Sequence, residues 1–446
     1  MSFGMRHRRY FLIGYSLSGA AALIYEVTWT RLLTMEMGHG VVAASTVLAA
    51  FMGGLAFGSA VGGRFSPQLT PARALRVYAI LEITIAALAF LLPLALAAIR
   101  PLLAAAYADG NQEALFQAVR LTLSLALLAI PTAAMGATFP IASRWLVRDA
   151  AHAPTHAARL YAANTFGAAT GAALAGFVFL PSLGLRQTTL VGVALNLGAA
   201  LLAWVIAAQA AESVPPKAGH LDPAPVRVRH ASRAAKSVAA GRLWIAALAM
   251  GLSGAASLTL QIVWMRLAAS LLGPTTYAFT VIVTVFVSGL AVGNIVGARL
   301  VERSRQPLMG VAICLLLSAA LSTVAVAGVD WALLAMARWV ADGDSSFTTL
   351  LAKQIFLVAA LLVPMTMAFG ASFPFAIAVG AGTDDRVASD IALPPCPGRP
   401  QEWRRRPRRR QACRRPGRDR TGANRDRVPP SLRRRMPCPP VLPPTR

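Results

Sequence analysis

Acidic residues are scarce in this chain, with 18 Asp and Glu among 446 residues against 43 Lys and Arg. Charged residues of both signs make up only 14%, while 56% are hydrophobic and the mean hydropathy is +0.57. A water-soluble globular chain carries about a quarter of its residues charged. This one would leave far too much apolar surface facing water, which excludes a soluble domain. Cysteine is sparse too. Of the four, Cys396, Cys413 and Cys438 fall near the C-terminus and Cys314 stands alone in an apolar run. None has metal-ligand spacing, so no disulfide, metal or cofactor is assigned. A cleavable leader is not expected either: the first apolar run is too long, is soon followed by a second, and has no small-residue cleavage site.

What the chain does have is long uncharged runs. About 18 to 20 apolar residues cross a hydrocarbon core about 30 Å thick, and a helix satisfies its own backbone there. Ten such spans are expected: 10–29, 41–62, 77–97, 118–141, 160–180, 188–208, 243–265, 276–298, 307–329 and 348–373. The formal charge of +25 concentrates at one end. Residues 394–446 hold 17 Arg and three acids, a net of +14, which leaves +11 for the first 393 residues. Those other cations fall in alternate loops: Arg6, Arg8 and Arg9; Arg64 and Arg73; Arg144 and Arg148; Arg227, Arg229, Arg233 and Lys236; Arg299, Arg303 and Arg305. Asp330, Asp342 and Asp344 lie in a loop of opposite parity. This alternation predicts that both termini are cytoplasmic.

The chain also repeats itself. A displacement of 235 residues lays 17–64 on 252–299 without a gap, with Trp29 on Trp264, Arg31 on Arg266, Gly58 on Gly293 and Arg64 on Arg299. Further on, "PTAAMGATFP" from Pro131 matches "PMTMAFGASFP" from Pro364 with one residue inserted. Six spans separate equivalent points, and an even number keeps both halves in the same orientation, so the repeat is parallel. The expected organisation is a six-helix repeat (1–208), a basic cytoplasmic linker (209–242), a second repeat of four helices (243–393) and a disordered Arg/Pro-rich tail (394–446). Where the repeat calls for a counterpart of "LYAANTFGAATG", the chain turns to "PPCPGRPQEWRRRPRRR". That tail reads as an arm for anionic lipid or nucleic acid, or as an out-of-frame end.

Within the spans, a small-xxx-small stripe at Gly54, Gly58 and Gly62, repeated at Gly289, Gly293 and Gly297, predicts tight helix packing. Glu26 and Glu82 are the ionisable groups of most interest, because a charge inside a span tends to face a cavity or a partner. Arg120 is the expected partner of Glu26. At the repeat position of Glu26 stands the neutral Gln261, and counting back from the prolines at 131 and 364 sets Lys353 opposite Arg120. Each of these also has a structural reading: Glu26 as a cap or local pair, Arg120 and Lys353 snorkelling to water, Glu82 hydrogen-bonded to a neighbouring helix. Trp29, Trp264 and Arg31 are assigned to the interfacial belt, and Asn164 and Asn294 to bridges between helices.

With these motifs, "LSGAAALIYEVTWTRLL", "STVLAAFMGGLAFGSAVGGR", "GATFP" and "LYAANTFGAATGAALAGF", the chain resembles the membrane half of the bacterial fused major facilitator and spermidine synthase-like proteins. The resemblance covers residues 10 to 393. It implies an all-α, major-facilitator-like bundle of about 6 + 4 transmembrane helices in the bacterial inner membrane. It also implies that the first, fourth, seventh and tenth spans bring Glu26, Arg120, Gln261 and Lys353 to one chamber. In that family an aminopropyltransferase-like domain follows, which implies a polyamine-related anchoring or transport role. The 53 residues after Leu393 offer no nucleotide-binding strand, glycine-rich turn or carboxylate set, so aminopropyl transfer is not assigned to this chain. Two other readings stay open: an independent transporter of a small solute, and a non-functional truncated product. The expected partners are the lipid bilayer, a polyamine or other small solute, and anionic lipid at the basic tail.

Overall fold

The computed structural model describes residues 2–37, 40–107, 113–146, 153–212, 233–272, 276–341 and 346–392. The tail and residues 213–232 of the expected linker lie outside them. The helices are α1 (Ser2–Met37), α2 (Gly40–Phe65), α3 (Pro71–Tyr107), α4 (Glu113–Leu146), α5 (Ala153–Leu174), α6 (Leu180–Glu212), α7 (Arg233–Leu272), α8 (Thr276–Val301), α9 (Pro307–Ala327), α10 (Val329–Ala341) and α11 (Phe347–Ala392). Among the described residues the protein is all-α, a polytopic bundle of apolar helices long enough to cross a membrane. Helix extends into the expected linker from both sides, to Glu212 and from Arg233.

The ten expected spans fall in α1 to α9 and α11. The fifth and sixth form one continuous apolar stretch of 54 residues, His156–Gln209, in which a π-helical segment, Ala175–Phe179, follows α5. The chain redirects at Gly184, where φ is 74° and ψ 178°, a conformation that only glycine adopts at low cost. Helix α10 is not among the expected elements. Its counterpart in the first half is simply the far end of α3, which continues through Pro93 and Pro101. In the second half the helix ends at Gly328 and restarts with Asp330 in its first turn, where a negative charge suits the positive end of the helix dipole.

Each half has its own core. In the first, Tyr25, Trp29, Phe51, Ile85 and Leu128 interlock, while Phe11, Tyr78, Trp145 and Leu160 form a second cluster. In the second half Trp264, Val281, Phe286, Leu362 and Met365 do the same. A further cluster joins the halves, with Ile24 and Val27 of α1, Ala172 of α5 and Val283 of α8. Trp29 and Trp264 are only 1% and 2% exposed. They therefore do not form an interfacial belt. Trp29 stacks on Tyr25 at 5.3 Å between centroids and meets Phe51 at 5.6 Å, so an indole's bulk is used here to fill space between helices.

The glycine stripes set the helix register. A side chain at Gly54 would strike Thr132 Oγ1, and one at Gly289 would strike Thr366 Oγ1. Gly58 faces the carbonyl of Ala133 and Gly293 that of Met367; Gly62 faces Ala137 and Gly297 faces Ala371. The α2 stripe thus lies on α4 and the α8 stripe on α11. Across these pairs α4 maps onto α11 with a displacement of 234, which also places buried Leu128 on buried Leu362. The inserted residue therefore precedes Thr366, and Arg120 maps onto Gln354 rather than Lys353. The prolines at 131 and 364 are one residue, about 100° of helix rotation, out of register.

Candidate functional site between the halves

Helix α1 presents two faces. Tyr25, Trp29 and Leu33 pack into the first-half core, while Ile24 and Val27 meet Val283 of α8 across the boundary. By the 3.6-residue period Glu26 sits between these faces, close to Ala22 and Leu33 on the helix surface. It is 4% exposed, and its repeat counterpart Gln261 on α7 is 5% exposed. Thr30 donates its hydroxyl to the Glu26 carbonyl at 2.7 Å. The helix thus absorbs the threonine hydroxyl in its own backbone and leaves the carboxylate to its surroundings.

Arg120 on α4 is 7% exposed. Its Nη2 donates to Gln117 Oε1 at 3.5 Å, and its guanidinium lies 5.3 Å from the centre of the Phe116 ring. Lys353 on α11 directs its ammonium to the Trp339 ring of α10, 5.6 Å from the centroid. The two cations thus have different settings, in keeping with the one-residue shift of register between them. The aromatic contact of Lys353 depends on the extra helix α10, which the first half does not have.

Glu82 lies elsewhere. Fully buried on α3, it receives the Ser18 hydroxyl on Oε1 and the Asn196 amide nitrogen on Oε2, both at 2.6 Å. It therefore ties α1, α3 and α6 together inside the first half. The burial pattern Leu75, Tyr78, Glu82, Ala89 recurs as Val311, Cys314, Ser318, Ala325 at a displacement of 236. The second half thus carries serine where the first carries this acid, and Ser318 turns its hydroxyl to the Leu315 carbonyl. Both buried acids of the first half, Glu26 and Glu82, face neutral counterparts in the second.

At the end of the bundle where α4 stops and α5 begins, the halves meet through aromatic rings. Phe139 of α4 and its repeat counterpart Phe373 of α11 lie edge to face, 6.2 Å apart. Tyr161 of α5 stacks on Phe373 at 4.2 Å and meets Phe139 at 6.4 Å. Nearby, Asn294 of α8, fully buried, donates its amide to the Ala158 carbonyl of α5 at 3.0 Å. Asn164 of α5 bridges to the Tyr15 carbonyl of α1 at 3.4 Å. Both asparagines therefore link helices, one between the halves and one within the first. The aromatic cluster is absent from the expected site residues. Its signal was present in the paired "TFP" and "SFP" motifs at 138–140 and 372–374, which place a phenylalanine at equivalent points of two parallel halves.

No family model and no curated protein matches the chain. Among solved structures it is similar to a major facilitator superfamily transporter, FucP, in the outward conformation, at 16% identity over 86% of this chain and 93% of that one, with a TM-score of 0.41. It is also similar to an auto-inhibited POT family peptide transporter, at 13% identity over 87% of this chain and 89% of that one, with a TM-score of 0.38.

Proposed function

We propose that the chain is a small-solute transporter whose two halves rock about the α5 and α8 boundary, with Glu26 as the charged contact for a cationic solute or a coupling proton. One observation carries this reading. Two repeat-related halves, each with its own core, meet through Phe139 and its counterpart Phe373, and Glu26, on α1 next to the residues that meet α8, is a buried acid matched by neutral Gln261 across the repeat. Beside the boundary, one such charge serves one solute in the space the halves share. Arg120 completes the site as counter-charge when the solute is absent, and Gln261 and Lys353 contribute from the second half. Both termini are cytoplasmic in this reading, in the inner membrane of a bacterium, and the Phe139–Phe373 contact closes the cytoplasmic end. A polyamine is the solute that the family resemblance implies, and a flexible polycation suits an acid with a neutral counterpart.

The test is flux into proteoliposomes holding the full chain, with labelled spermidine, putrescine or a neutral amino acid outside and with or without a pH gradient. Saturable spermidine uptake that falls about ten-fold or more in Glu26→Gln, the equivalent of about 1.4 kcal/mol of lost contact, supports the reading. Gradient-driven uptake of another solute with the same sensitivity supports proton coupling. Absence of flux for all three solutes from folded protein would overturn the proposal.

A further inference from the structure

We infer that the oxygen-lined centre around Glu82, between α1, α3 and α6, is a binding site for one small alkali cation, sodium, which stabilises the first half. This inference is independent of transport. The described groups that act on Glu82 are Ser18, Tyr78 and Asn196, all uncharged. A carboxylate inside a membrane bundle is costly unless a counter-charge or a metal meets it. Ser18 and Asn196 each donate a hydrogen bond to one of its oxygens at 2.6 Å, and a donor on each oxygen suits the anion rather than the acid. These bonds orient the charge. They do not cancel it.

Around that carboxylate lie buried oxygens with nothing to bond. The Tyr78 hydroxyl sits beside both Glu82 and Ser18 but is aligned for a hydrogen bond with neither. Asn196 gives its amide nitrogen to Glu82, and the Oδ1 of the same side chain has no hydrogen-bond partner. The Tyr25 hydroxyl, also without a partner, lies close enough to feel the charge of Glu82. Tyr78, Asn196 and Tyr25 are all fully enclosed, and Ser18 keeps the most exposure of the set, 8%. Buried polar atoms nearly always find partners. Three orphaned oxygens around one carboxylate therefore call for a ligand that takes lone pairs, and a hard cation takes them from carboxylate, carbonyl and hydroxyl oxygens alike.

Charge sets the valence. One carboxylate balances one monovalent ion, whereas a divalent ion would leave an unmatched positive charge in the bundle, and the described residues hold no cluster of three acidic, histidine or cysteine side chains that would suit one. Oxygens packed at hydrogen-bond distance admit a small ion and exclude an organic cation. The second half takes the set apart: Tyr78 becomes Cys314 and Glu82 becomes Ser318, whose hydroxyl turns to the Leu315 carbonyl of its own helix. A neutral side chain thus packs at this place in α9, so packing alone does not account for the acid in α3.

The experiment uses the purified full chain in detergent at alkaline pH. It is melted in sodium, potassium and choline chloride of equal ionic strength, and binding of radiolabelled sodium is measured by equilibrium dialysis. The expected result is one sodium per chain and a midpoint higher in sodium than in choline by about 3 °C or more, growing with sodium concentration. Tyr78→Phe removes a hydroxyl that makes no hydrogen bond and keeps the ring against Phe11 and Tyr15. It should melt no lower than the parent in choline and bind sodium about ten-fold or more weakly, a combination that a purely structural role for Tyr78 would not give. Glu82→Gln should lose the sodium response altogether. Equal midpoints in all three salts with no retained label would mean that the carboxyl holds a proton and the orphaned oxygens take water, and would overturn the inference. Full sodium affinity in Tyr78→Phe, with loss in Glu26→Gln instead, would move the ion to the boundary between the halves and overturn it as well.

Discussion

Phe139 and Phe373 occupy equivalent places in the two halves, and they touch each other, edge to face at 6.2 Å, while Tyr161 stacks on Phe373. Each precedes a proline, Pro140 or Pro374, inside a continuous helix. If this contact opens and closes during transport, a covalent link across it should arrest flux. With Phe139→Cys and Phe373→Cys in a cysteine-free background, oxidation should join the halves, and a protease site placed in residues 213–232 should then release no separate fragments. Flux should stop on oxidation and return on reduction. A linked protein that transports at the parent rate would show that this end never opens.

The Ser18, Glu82 and Asn196 cluster predicts a stability effect without a site effect. Glu82→Ala leaves the Ser18 hydroxyl and the Asn196 amide without their acceptor inside the bundle. Hydrogen bonds between transmembrane helices contribute about 0.6 to 2 kcal/mol each. The variant should therefore melt at a clearly lower temperature in detergent, and Glu82→Gln should recover part of the loss because its carbonyl still accepts from Asn196. Flux per folded molecule should stay near the parent value. A large flux defect in a variant of normal stability would move Glu82 into the transport site.

Packing of α2 on α4 gives a sharper contrast between neighbouring glycines. A methyl at Gly58 meets the Ala133 carbonyl, whereas one at Gly63 meets nothing within 4 Å. Gly58→Ala should cost about 1 to 3 kcal/mol through overpacking. Gly63→Ala should be neutral or stabilise by about 0.5 to 1 kcal/mol, since alanine loses less backbone freedom in a helix. Gly293→Ala should behave like Gly58→Ala, because it faces Met367 in the same way. Thermal denaturation of the three variants side by side checks the ranking.

Much of this architecture is legible in the sequence because it is periodic. The glycine spacing, the displaced tryptophans and the alternation of basic loops all survive as distances along a line, and the parallel halves follow from them. What stays hidden is which way a side chain turns. Trp29 is as apolar facing Phe51 as it would be facing lipid headgroups, so composition could not place it in the core. Aligning α4 with α11 by their prolines errs by one residue, because packing fixes the register through Gly54 on Thr132 and Gly289 on Thr366. The pairing of Lys353 with Arg120 fails for the same reason. The break at Gly328 that creates α10 has no counterpart in α3, so no repeat argument could supply it, nor the Trp339 ring that Lys353 meets. Glu82 shows in the sequence only as an acid in a span; its partners lie 64 and 114 residues away in the chain.

If the halves rock as proposed, Asn294 offers a way to shift the balance between closed and open forms. Its amide donates to the Ala158 carbonyl across the boundary between α8 and α5, close in the chain to Tyr161 of the aromatic contact. Asn294→Ala removes one interhelical hydrogen bond and leaves a carbonyl that the helix of α5 already engages, so the bundle should fold normally. Loss of about 1 kcal/mol from one conformation alone changes its population ratio about five-fold. In the Phe139→Cys, Phe373→Cys background the disulfide should therefore form several-fold more slowly when Asn294→Ala is added, with a thermal midpoint lowered by no more than the loss of that one bond. An unchanged rate of disulfide formation would mean that the bond persists in both conformations, and that Asn294 holds α8 to α5 as a fixed axis about which the halves move.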